Sequence, residues 1–166
     1  MSDARDCLRA WLTLLDTANI IKKQIDGQMR RQFGLSLSRF DVLAALDRAG
    51  DDGLTARQLS DRLKVTDGNT TQITAPLIAD GLIGRKTHAE DRRVAIFTLT
   101  KAGKSIFAET AAANRSWVAQ IFSGLSDQDL ASLKQIISSI EPLSEPLSPS
   151  GENEASTIRG TQPRCV

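Results

Sequence analysis

Two helix-start signals stand so close together that they dictate the centre of the fold. Thr55-Ala56-Arg57-Gln58 has the form of a capping box, in which the threonine and glutamine side chains satisfy reciprocal backbone donors. The helix it opens carries Leu59 and Leu63. Only Lys64 and Val65 follow before Thr66, which can cap a further helix running to about Asp80. Two short helices joined by so tight a turn predict a helix-turn-helix. Gly81 closes the second helix. Residues 82–86 and 94–99 then read as two strands, with 87–93 as the loop between them.

Helical periodicity brackets this centre. From about 5 to 32, Leu8, Trp11, Leu12, Leu15, Ala18, Ile21, Ile25 and Met29 form one apolar stripe, opposite a face carrying Arg9, Asp16, Lys22, Lys23, Asp26 and Arg30. So long a stripe on so short a chain needs a covering surface, and a second copy is a natural one. Gly34 suits a left-handed cap at its end. Ser38 reads as the N-cap of a helix through Phe40, Leu43 and Leu46, ended by Gly50 and Gly53. Thr100 opens another long helix through Ile106, Phe107, Ala113, Trp117 and Ile121. Ser126 and Asp129 cap a last one through Leu130, Leu133, Ile137 and Ile140. The expected fold is therefore mainly α with a small β-hairpin wing: a winged helix-turn-helix between long terminal helices. Its expected divisions are an association helix over 1–34, the winged region over 35–100 and further association helices over 101–141. A disordered tail over 142–166 completes the chain.

The net charge of +1 conceals an uneven distribution. Between Thr55 and Lys104 there are nine Lys/Arg against five acids, a local net of +4, whereas Glu141 onward carries four acids and two arginines. Cys7 and Cys165 lie near opposite ends without metal-ligand or disulfide spacing, and His88 is the single histidine. No metal and no cofactor is expected. No run is apolar enough to span a bilayer and no signal-peptide core is evident, so the chain reads as cytoplasmic with no membrane partner. No spacing sets a nucleophile beside a base, which argues against an enzyme.

Six fragments now fall into one order. "LSRFDVLAAL" (37–46), "LTARQLSDRLKV" (54–65), "GNTTQI" (68–73), "DGLIGR" (80–85), "EDRR" (90–93) and "LTKAG" (99–103) resemble those of MarR-type transcriptional regulators, over roughly residues 6 to 142. The resemblance implies a symmetric homodimer whose end helices interlock and whose two recognition helices enter successive major grooves of an operator. Its half-sites would lie about one helical turn, roughly 34–36 Å, apart. It also implies a regulator, commonly a repressor, released by a small and often aromatic acid or by oxidation of a cysteine.

On that footing the wing loop acquires a purpose. The family's Asp-x-Arg motif is matched by Asp91-Arg92-Arg93. The match makes Arg93 the arginine inserted into a minor groove and Asp91 the carboxylate that orients it. Arg92, Arg85 and Lys86 would neutralise phosphates, with His88 nearby. In the recognition helix, Asn69, Thr70, Thr71 and Gln72 are expected to be exposed and at least two of them, which two being open, to meet bases or phosphates, with Gly68 letting the helix start approach the strand. Many relatives carry a basic residue where Asp67 or Gln72 stands. Pro76 removes a backbone bond at a cost of about 3 kcal/mol in a host helix, predicting a kink or local opening over 72–76, with an outright helix end as the competing outcome.

Trp11, Phe40 and Trp117 are candidate linings of a pocket for a small aromatic ligand, each also accountable as core packing. Cys7 stands where peroxide-sensing members place a reactive thiol, but the chain has no tyrosine to hold a thiolate. The alternatives to a ligand-released DNA-binding regulator are a winged-helix protein-interaction module and a cysteine-based redox-responsive repressor.

Overall fold

A computed structural model describes residues 3–87 and 94–140. Asp91, Arg92, Arg93 and His88, and the tail expected over 142–166, lie outside the described residues. The chain divides into two compact units, one through Gly124 and one from Leu125.

In the first unit, helix α1 (Ala4–Phe33) starts where the Asp3 carboxylate accepts the Arg5 N–H. It stops at Gly34, whose φ of 66° lets its N–H reach the Arg30 carbonyl, the left-handed cap that the sequence predicts. The Asp26 carboxylate accepts from Arg30 Nε at 2.6 Å and from the Leu37 N–H at 2.8 Å, tying α1 to the start of α2. The hydrogen bonds from Arg30 and then Leu37 hold Asp26 below the usual carboxylate range. Helix α2 (Leu37–Ala49) is capped by Ser36, not by the expected Ser38, because the Ser36 hydroxyl accepts the Arg39 N–H. Consecutive buried residues from Val42 to Leu46 make α2 the central rod of the core, packed with Met29, Leu59, Leu77 and Ile83.

A 3-10 turn (Gly50–Asp52) leads into β1 (Leu54–Thr55), a strand the sequence reading missed. Then follow α3 (Ala56–Leu63), α4 (Asp67–Ala79), β2 (Ile83–Thr87), β3 (Ala95–Leu99) and α5 (Lys101–Ile121). The sheet order is β1-β3-β2, all antiparallel, with Leu54 opposite Phe97 and Arg85 opposite Phe97 on its other side. Gly53, at φ 71°, makes the third strand possible: a Cβ there would run into the Phe97 carbonyl and the side chains of Ile96 and Thr98. The expected two-stranded hairpin is thus anchored along one edge, beside the first turn of α3. Thr100 caps α5 as predicted.

In the second unit, α6 (Asp127–Ser138) begins with a full capping box between Ser126 and Asp129. The Ser126 hydroxyl and then its backbone N–H hold the Asp129 carboxyl below its ordinary value. Among the described residues no helix is long and apolar enough to cross a membrane.

Candidate nucleic-acid interface

The turn between α3 and α4 is tight because Lys64 adopts a left-handed conformation, φ 54°, and donates its N–H to the Ser60 carbonyl. Thr66 then accepts the Asn69 N–H and starts α4. This is the helix-turn-helix that the two caps imply.

Helix periodicity divides α4 into faces. Thr70, Thr74 and Leu77 point inward, at 1%, 3% and 0% exposure. Gly68, Asn69, Thr71, Gln72, Ala75 and Ile78 are exposed. Thr70 therefore corrects the expectation that all four polar residues of the first turns face outward. Its hydroxyl lies 2.8 Å from Ser60 Oγ on α3, and Ser60 in turn reaches the Ala56 carbonyl. The pair fixes the two helices together and keeps the Thr70 side chain inside the fold. Sequence polarity cannot separate a threonine that reads from one that braces; only its place one turn before Thr74 and two before Leu77 distinguishes them. Thr70→Val is expected to lower stability by about 1 kcal/mol, the usual net worth of such a bond, and to leave DNA affinity unchanged. Paired thermal melts and binding titrations check it.

Helix α4 continues past Pro76 to Ala79, so the competing outcome, a helix end, does not occur. The Thr74 hydroxyl, two residues before the position where proline has no N–H to offer, donates to the Thr70 carbonyl at 2.9 Å.

Arg85 and Lys86 are exposed on β2, on the arm that leads to the hairpin tip. Behind them Lys104 of α5 pairs with Asp51 of the 3-10 turn at 2.9 Å. That hydrogen bond, then the charges of Lys104 and more weakly Lys86, keep the Asp51 carboxyl below its normal range. The pairing of Thr87 with Ala95 closes the described part of the hairpin just short of Asp91, Arg92 and Arg93.

A groove of about 710 Å³ runs between α3, the flank of α4 and the hairpin, and Arg57, Thr71 and Arg85 line it. Arg57, the second residue of α3, lies within the capping motif and is one of the nine basic residues of the middle, but no site role for it follows from the sequence.

The candidate ligand residues do not converge. Trp11 is 56% exposed on α1. Phe40 is buried and stacks on Phe107, ring centroids 5.8 Å apart. Trp117 alone reaches a cavity of about 330 Å³ between α1 and α5, with Gln28, Arg31 and Gln120. The three are separated because α2 buries Phe40 in the core while Trp11 lies several turns away along α1. Cys7 is exposed. No metal-binding cluster occurs among the described residues.

The profile of the MarR family matches residues 33–94. The transcriptional repressor YetL of Bacillus subtilis is 30% identical over 125 residues, 74% of this chain and 72% of that protein. The chain belongs to the MarR family of transcriptional regulators. As a MarR chain it is 32% identical to a MarR family transcriptional regulator from Silicibacter pomeroyi, matching with a TM-score of 0.69 over 85% of this chain and 100% of that one. The fold also matches Sco3205 of Streptomyces coelicolor, solved in complex with DNA, with a TM-score of 0.73 at 23% identity over 83% and 86% of the two chains. The MarR fold expected from the six sequence fragments is thereby shown.

Proposed function

We propose that this MarR protein is a homodimeric, sequence-specific DNA-binding repressor. Each copy presents α4 to a major groove and its hairpin to the neighbouring minor groove. The observation that carries the reading is the division of α4, which keeps Asn69 and Gln72 exposed on the opposite side from the braced Thr70 and Thr74. Their carboxamides suit bidentate pairing with adenine, while Arg85 and Lys86 supply charge to phosphates. Arg93 is assigned to the minor groove and Asp91 to its orientation, with Arg92 on the backbone.

Association is supported by the apolar side chains α1 leaves in water: Leu8, Trp11, Leu12 and Ile20 are 57%, 56%, 47% and 59% exposed. On α6, considered by itself, Ile136 and Ile137 are also exposed. A run of this kind marks an interaction surface, and a second copy supplies the matching one. The N-terminal helix over 1–34 and the helices over 101–141 are thereby assigned to association and 35–100 to DNA. The name of the Bacillus subtilis relative supports repression. A small ligand that releases the operator would enter beside Trp117, and a soluble, cytoplasmic protein without cofactor fits this role.

The test is a gel shift of the purified protein on the duplex upstream of its own gene, with and without aromatic acids. Arg93→Ala is expected to weaken operator binding by about 1–3 kcal/mol, the worth of a good groove contact, without altering dimerisation. Unchanged binding by this variant would remove the wing assignment; no binding by the unmodified protein to any duplex would remove the reading itself.

A further inference from the structure

The groove beside α4 holds two arginines from different elements, Arg57 from α3 and Arg85 from β2. Both are exposed, and among the described residues neither forms an ion pair. Between them the floor is uncharged: Ala75 and Ile78 of α4 face Val94, Ala95 and Phe97 of the hairpin arm. Two guanidinium groups lining one largely apolar trough call for an anion from outside.

The position of the trough selects among such anions. It separates the helix assigned to the major groove from the hairpin assigned to the next minor groove. On a duplex, what separates a major groove from its neighbouring minor groove is one sugar-phosphate strand. With α4 and the hairpin both seated, that strand has to pass between them. We infer that the trough is the seat of this strand, with Arg57 and Arg85 on phosphates along it and Ala75, Ile78 and Val94 against the deoxyriboses. Arg57 is then a backbone-positioning residue that sets how deeply α4 enters, carries no base information and bridges the helix-turn-helix to the wing. The inference rests on the DNA-binding reading above and adds to it the path of a strand and a role for Arg57.

The experiment compares the full-length protein with Arg57→Ala, Arg57→Lys and Arg85→Ala on the duplex upstream of its own gene and on a scrambled duplex, over a range of salt. Arg57 is exposed and takes no part in the Thr55–Gln58 cap, so melting temperature and dimer mass should stay unchanged. For Arg57→Ala, affinity is expected to fall roughly tenfold on both duplexes alike, with the slope of log affinity against log salt reduced by about 0.9 for each lost phosphate contact. Arg57→Lys should restore most of the slope. Neutral methylphosphonate linkages, walked along the strand, should reveal one position that weakens the wild type but not Arg57→Ala. A wild-type slope in Arg57→Ala would overturn the inference while operator binding, and its loss in Arg93→Ala, left the broader reading standing. So would a loss confined to the operator duplex, which would make Arg57 a base reader, or a changed response to small acids at unchanged DNA affinity.

Discussion

Gly103→Ala is expected to be among the most damaging additions of a single methyl group to this protein. Gly103 sits in the first turn of α5 and is buried. A Cβ at this position would overlap the Leu82 carbonyl oxygen and press on its carbon and on the Leu99 side chain. The obstacle is backbone, so no rotamer change relieves it. The same carbonyl accepts the Thr100 N–H and hydroxyl, both at 3.1 Å, and the Thr100 hydroxyl also donates to the Gly81 carbonyl at 2.7 Å. Making room for the methyl would break the cap of α5 and the start of β2 together. A cost of about 3 kcal/mol is expected, the upper end for overpacking in a core, read as a lowered midpoint in urea with loss of operator binding at growth temperature. Gly84→Ala supplies the contrast: its methyl would meet only Thr98, at 3.6 Å, an ordinary contact, and should change stability by less than about 1 kcal/mol.

Leu12→Glu on α1 should have the largest effect on function with the smallest on the fold of one copy. Leu12 is 47% exposed, and the residues buried in the core from this helix, Ile25 and Met29, lie several turns further along. The carboxylate therefore costs the single copy little, whereas a shared apolar interface would have to desolvate it twice by symmetry. The variant is expected to elute as a monomer with the helical content of the wild type. Operator affinity should fall by about 10²–10⁴-fold, because two linked half-site contacts become one. A dimer of unchanged stability would show that α1 does not carry the interface.

Much of this molecule was legible in its sequence, and for physical reasons. Helix caps are local chemistry: Thr55 with Gln58, Thr66, Thr100, Ser126 with Asp129 and Gly34 all occupy the positions their residue types imply. What escaped depends on groups distant in the chain. Strand β1 is two residues long and exists only because Gly53 admits Phe97, which no short window contains. Ser36 outcompeted Ser38 because the Asp26 carboxylate holds the Leu37 N–H, setting the start of α2 from another helix. Thr70 and Thr71 are indistinguishable as letters, yet one braces α3 and the other lines the groove. Gly103 belonged to the fragment that carried the family resemblance, but its reason, the Leu82 carbonyl, lies across the fold. Arg57 was hidden behind the cap it adjoins. Trp11, Phe40 and Trp117 do not meet at one cavity, because spacing along helices says which face a ring occupies and not which neighbour it meets.

The close approach of α5 to β2 at Gly103 reaches beyond stability. With the Leu82 carbonyl clasped by Thr100, and β1 holding the far edge of β3, the described arms of the hairpin lack a pivot of their own. One carbonyl, that of Leu82, therefore serves both the first turn of α5 and the start of β2, so a change that shifts this turn is expected to be felt in the hairpin as well.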